Sequence, residues 1–82
     1  MAVVYRLVGY DRKTERQAVR IDIPTRHVGY VKRTIGRDII ADHPLSPMQA
    51  RDIAGVIGFS IDTNHYDYFI EPYGQPAQRQ SA

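Results

Sequence analysis

The sequence predicts a small two-layer α+β domain, ββααβ, in which two helices cover one face of a three-stranded mixed sheet of order 2-1-3. Three observations carry this prediction. Two early segments, AVVYRLVGY (2–10) and RQAVRIDI (16–23), are dense in β-branched and aromatic residues and flank a short polar turn. The middle of the chain then spaces its apolar residues by three and four. A final run, YDYFIE (66–71), returns to strict alternation.

The first two segments read as a β-hairpin around DRKTE (11–15), whose Asp and Thr can hydrogen-bond their own backbone. In the second strand Val19, Ile21 and Ile23 share one face, and Ala18, Arg20 and Asp22 the other. Matching apolar faces requires Tyr5 opposite Ile23 and Leu7 opposite Ile21, which sets Arg6 across from Asp22 and demands an odd loop or a bulge near the turn. The first strand is apolar on both faces, through Val3, Tyr5 and Leu7 and through Val4, Val8 and Tyr10, so it belongs at the centre.

Pro24 stops the hairpin and Thr25 is the expected N-cap of the first helix, with Val28, Val31 and Ile35 as its apolar stripe and Gly36 as its stop. The connector RDIIADHPL (37–45) offers Ile39 and Ile40 as core anchors. The second helix carries the sharpest local signal: Ser46 as N-cap, Pro47 at the first helical position and Gln49 completing a capping box. Ala50, Ile53, Ala54 and Ile57 form its apolar face, and Gly58 ends it. In the last strand Tyr66, Tyr68 and Ile70 oppose Asp67, Phe69 and Glu71, and counting one reversal per element makes it parallel to the first.

The turn DRKT, then RIDIP, the DHPLSPMQARDI segment and the closing YDYFIE resemble a small family of uncharacterised bacterial proteins whose members end in a similar Tyr-Phe-aliphatic-Glu strand. The resemblance covers most of residues 5 to 72 and rests on a turn, a cap and a strand. It implies the same element order; no activity or site residue comes with it.

With 82 residues the chain makes one domain, expected over residues 1–73, and the tail GQPAQRQSA (74–82) is expected to be disordered because it holds no large apolar residue. A chain this short buries about 60–65% of its unfolded surface, so its stability is thin. No cysteine is present to add a disulfide or a thiolate metal site. Dimerisation is therefore a natural source of buried area. The opening MAVVYRLVGY does not read as a signal peptide, since Arg6 interrupts the apolar run and no basic region precedes it, and no window is long and apolar enough for a membrane span. A cytoplasmic protein is expected, and arginine as nine of the eleven basic residues suggests a GC-rich bacterial source. The net charge of +2 divides unevenly, with +6 over residues 1–37 and −4 over residues 38–82.

The run DTNHYDYFIEPY (62–73) is the one place where acids, a histidine and tyrosines crowd together. Asp62 and Asn64 begin like a calcium loop, but Tyr66 stands where a third oxygen ligand belongs and Asp67 replaces the turn glycine. His27, His43 and His65 are scattered singly, which is not zinc-ligand spacing. Serines 46, 60 and 81 lack an activating base, although Asp42-His43 could orient an imidazole, and the glycines form no phosphate loop. No catalytic residue, metal or cofactor is expected, and the run reads as a turn plus a strand whose Asp67 and Glu71 pair with Arg6 and Arg20.

Two surfaces remain. The sheet face away from the helices should expose Val4, Val8, Tyr10 and Phe69, an apolar patch suited to a protein partner and most simply to a homodimer. The alternative is nucleic-acid or polyanion binding through Arg26, Tyr30 and Arg33 on the outer stripe of the first helix, joined by Arg37 if the helix runs one turn further.

Overall fold

The computed structural model describes residues 3–74. Along them run β1 (Val3–Asp11), β2 (Gln17–Asp22), a 3-10 turn (Thr25–His27), α1 (Val28–Ile35), the two-residue β3 (His43–Pro44), α2 (Pro47–Ile57) and β4 (Tyr66–Gly74). The α+β class holds, but the sheet is wholly antiparallel and four-stranded, in order β2-β1-β4-β3, where three mixed strands of order 2-1-3 were expected. Gly74, the first residue of the expected tail, ends β4 opposite Val3, and the rest of that tail, residues 75–82, lies outside the described residues.

The hairpin has the register that its apolar alternation requires. Leu7 faces Ile21, Arg6 faces Asp22, and the Ile23 N–H donates to the Tyr5 carbonyl at 2.8 Å. A bulge at Gly9 and Tyr10 absorbs the odd residue of the turn. β1 is central, with β2 on one side and β4 on the other.

β4 runs against β1, not along it, with Val3 opposite Gly74 and Asp11 opposite Tyr66. Counting reversals failed because the connector between the helices contains β3, which pairs His43 with Ile70 and Pro44 with Phe69. The segment after α2 then carries the chain to the hairpin end of β1 before β4 starts. There the His65 carbonyl accepts from the Arg12 N–H at 3.1 Å, and the Arg12 guanidinium donates to the Thr63 carbonyl at 2.8 Å.

Both helices pack on the face that carries Leu7, Tyr68 and Ile70, joined there by Ile23, Val31, Ile39, Ala50, Ile53 and Ala54. Leu7, Ile53 and Ile70 are fully buried, each contributing about 1.5–3 kcal/mol. α2 forms as its caps require: the Gln49 N–H donates to Ser46 Oγ at 3.1 Å, the Ser46 N–H donates to Gln49 Oε1 at 3.0 Å, and Gly58 closes the helix at φ 78°. Thr25 does not cap α1; it opens the 3-10 turn, and α1 starts after His27 without a side-chain cap. Of the two anchors expected in the connector, Ile39 enters the core, while Ile40 stands in the bend at residues 40–41 and is 90% exposed.

Gly9 is required by packing. A Cβ there would stand 2.8 Å from Tyr68 Cε1 and 3.2 Å from Val19 Cβ, so the Tyr68 ring crosses β1 only because the side chain is missing. The same ring places Tyr68 Oη 3.0 Å from the Asp62 N–H, tying the segment before β4 to the core. Gly9→Ala is expected to destabilise the fold by about 1–3 kcal/mol in urea unfolding. The penalty should shrink in a Tyr68→Leu background; an unchanged penalty would place the clash elsewhere.

Candidate binding face

Alternation along β1 and β4 sends Val4, Arg6, Val8 and Tyr10, with Asp67, Phe69, Glu71 and Tyr73, to the sheet face opposite the helices. All four residues expected to form a docking patch lie on it. The expectation of a wet apolar patch needs correction, however: Val8 is 0% exposed, and Val4, Tyr10 and Phe69 are half-buried. Its neighbours on this face, Arg20 and Phe69 across the two ladders and Arg6 and Tyr10 along β1, are long enough to cover it.

What this face presents instead is a shallow concavity of about 420 Å³ at the hairpin end of the sheet. Its floor is Tyr10 and Phe69, packed edge to face with centroids 5.6 Å apart. Five carboxylates rim it, from Asp11, Glu15, Asp42, Asp67 and Glu71, with Arg12 as the one basic residue.

Each acid arrives by a different route. Asp11 closes the hairpin turn, and its Oδ1 accepts the N–H groups of Thr14 at 3.1 Å and Lys13 at 2.7 Å, bonds that hold its carboxyl below the usual range. Asp67 is engaged by Arg12 Nε at 2.9 Å. Glu71 is 6% exposed, and its two oxygens accept from the Tyr10 and Tyr73 hydroxyls, both at 2.7 Å. Asp42 reaches the rim because β3 lays the connector along β4. Glu15 reaches it from a turn position with φ 62°, a left-handed conformation that costs a non-glycine residue about 1–2 kcal/mol. The carboxylates of Asp42 and Glu15 accept no hydrogen bond among the described residues.

The expected pairing of Asp67 and Glu71 with Arg6 and Arg20 does not form. Arg6 Nε goes to Asp22 Oδ1 at 2.8 Å, and its guanidinium lies 4.1 Å above the Tyr73 ring. Arg20 has no ionic partner among the described residues. The crowded run before β4 resolves into a turn. Asp62 Oδ1 accepts the Asn64 N–H at 2.9 Å, and Oδ2 stands 2.6 Å from His65 Nδ1, the contact that chiefly lowers the Asp62 pKa. Among the described residues no three His, Cys, Asp or Glu side chains converge to hold a metal, and no helix is long and apolar enough to cross a membrane.

Arg26 and Arg33 of the expected arginine stripe are exposed along the continuous helical stretch 25–35. Arg26 sits in the 3-10 turn, Tyr30 is half-buried, and Arg33 folds back against Gly29. Gly36 ends α1 at φ 88°, so Arg37 lies beyond the helix and does not join the stripe. No family model, characterised protein or solved structure matches this chain.

The acids of the concavity went unnoticed in the sequence because their shared location depends on the direction of β4 and on β3. The usable signal was the alternation Asp67, Phe69, Glu71 on a strand expected to share a face with Tyr10.

The Glu71 hydrogen bonds raise the pKa of both Tyr10 and Tyr73 above the ordinary 10.0, with burial adding to the effect. Folding therefore favours the protonated phenols. The stability they contribute is complete below pH about 10 and is lost as pH climbs through the raised values. Compared with Tyr10→Phe and Tyr73→Phe variants, a spectrophotometric titration of the folded chain should show these two phenols ionising above 10.0, and Glu71→Gln should lower both. A titration left unchanged by Glu71→Gln would contradict the triad.

Proposed function

We propose that this protein is a non-enzymatic protein-interaction module, cytoplasmic, whose docking surface is the outer face of the sheet and whose partner inserts a cationic side chain. The observation that carries this reading is the concavity itself, an aromatic floor under five carboxylates. Such a site suits an arginine or lysine in two ways. The floor takes the aliphatic stem and offers a π face to the charge, worth about 0.5–2 kcal/mol. Asp42 and Glu15, with no bond of their own among the described residues, remain available to accept from a guanidinium.

Glu15 adds support of another kind. Glycine would adopt φ 62° without strain, so a glutamate there sacrifices stability to set a carboxylate on the rim. With Val8 covered and Val4, Tyr10 and Phe69 half-buried, charge on the rim supplies part of the recognition.

The test uses an arginine-glycine peptide at low salt, followed by calorimetry. Binding is expected at a Kd of about 10 μM to 1 mM, weakening as salt rises. Asp42→Asn should weaken it. Glu15→Gly should weaken it while stabilising the fold by about 0.5–1 kcal/mol, a combination that structural damage cannot produce. An oligonucleotide should not compete at this face, whose rim would repel phosphates. Peptide affinity unchanged in both variants, or oligonucleotide binding in place of peptide binding, would refute the reading in favour of the arginine surface around α1.

A further inference from the structure

β2 is an edge of the sheet, and its free side is patterned. The Ile23 N–H bonds to Tyr5, and residues alternate along an antiparallel ladder, so Val19, Ile21 and Ile23 direct their backbone groups to β1. Arg20 and Asp22 therefore turn their N–H and C=O groups outward. The bulge near Gln17 limits the straight part of this edge at one end, and Pro24, where the chain leaves for the 3-10 turn, limits it at the other. Ile21 is the midpoint of the straight stretch from Val19 to Ile23. The side chains add a second pattern. Arg20 has no ionic partner among the described residues, and Asp22, 68% exposed, spends only Oδ1 on Arg6.

We infer that β2 is the binding site for β2 of a second copy of this chain, paired antiparallel about a two-fold axis at Ile21. In that register Arg20 of each copy stands opposite Asp22 of the other, and these are the residues whose backbone groups point outward, so each such pair exchanges both its hydrogen bonds. Asp22 Oδ2 meets the unpartnered guanidinium. On the helix-side face Val19 meets Ile23 of the second copy and Ile21 meets its equivalent, extending the apolar layer that Val19 and Ile23 already join. Neighbouring registers fail. An axis at Arg20 sets arginine against arginine, an axis at Val19 draws the bulge into the ladder, and an axis between residues puts the two helical layers on opposite faces. The lone arginine that repels other strands thus selects this one. The sheet would run unbroken from β3 of one copy to β3 of the other, with both acidic concavities on the same side.

The experiment is sedimentation of the full chain over a concentration series. Wild type is expected to dimerise with concentration. Arg20→Asp and Asp22→Arg, each of which brings like charges together, should weaken dimerisation at least about tenfold alone, and an equal mixture of the two should dimerise again because both cross-pairs are restored. Should Asp22→Arg fail to fold for loss of Arg6, oxidation supplies a second arm: the chain has no cysteine, so Ile21→Cys should crosslink to its equivalent and Val19→Cys should not. A wild type that is monomeric throughout, or a dimer indifferent to Arg20→Asp, overturns the inference. Phe69→Ala should leave dimerisation unchanged; if it dissociates the dimer, the copies meet through the outer face and the edge pairing is wrong.

Discussion

Glu71, 6% exposed on a strand of a small sheet, is the one buried charged residue among the described residues. A buried charge without partners costs several kcal/mol, a large share of what a domain this size has to spare. Two phenols meet the need. Tyr73 lies two residues along the same strand, and Tyr10 comes from β1. Tyr10 arrives only because β4 runs antiparallel in a register that sets Arg6 opposite Glu71 and Asp67 opposite Tyr10. That register also lays Phe69 against Tyr10 and brings Asp67 within reach of Arg12. The need to satisfy one carboxylate and the assembly of the outer face are thus the same constraint.

The two faces of the sheet divide the work. The helix side is closed by large apolar residues, with the Tyr68 ring lying over Gly9 and its hydroxyl holding the segment before β4. The other side covers Val8 wholly, leaves Val4 half-buried, and presents aromatic rings and charge at the concavity. Arg12 links them: its backbone and guanidinium bind the segment before β4, and the same guanidinium neutralises Asp67 on the rim. Under the proposed reading, a charged partner would bind to and leave this face without exposing the core. A stable partner at the β2 edge would leave it free.

Local chemistry was legible in the sequence, and long-range direction was not. The hairpin register, the bulge, the capping box at Ser46 and Gln49, and the inward set Tyr68 and Ile70 follow from spacing, because alternation and caps act within a few residues. The direction of β4 does not follow from spacing, since the same residues face inward whichever way the strand runs. β3 escaped notice because a two-residue strand ending in proline has no periodicity to read. Ile40 failed as an anchor, and Val8 as an exposed contact, for related reasons: hydrophobicity says what a residue prefers, but neighbours decide what it obtains. The concavity needed all of these at once, which is why its acids read as scattered surface charges.

The central claim is that the outer sheet face, and not the arginine surface around α1, is where this protein meets its partner. Two-dimensional amide NMR of the labelled chain, titrated with an arginine-containing peptide, tests it most directly. The account expects the largest shifts at Tyr10, Asp11, Glu15, Asp42 and Phe69, with Arg26 and Arg33 unmoved. Shifts confined to residues 26–37, or none at the concavity, would contradict it.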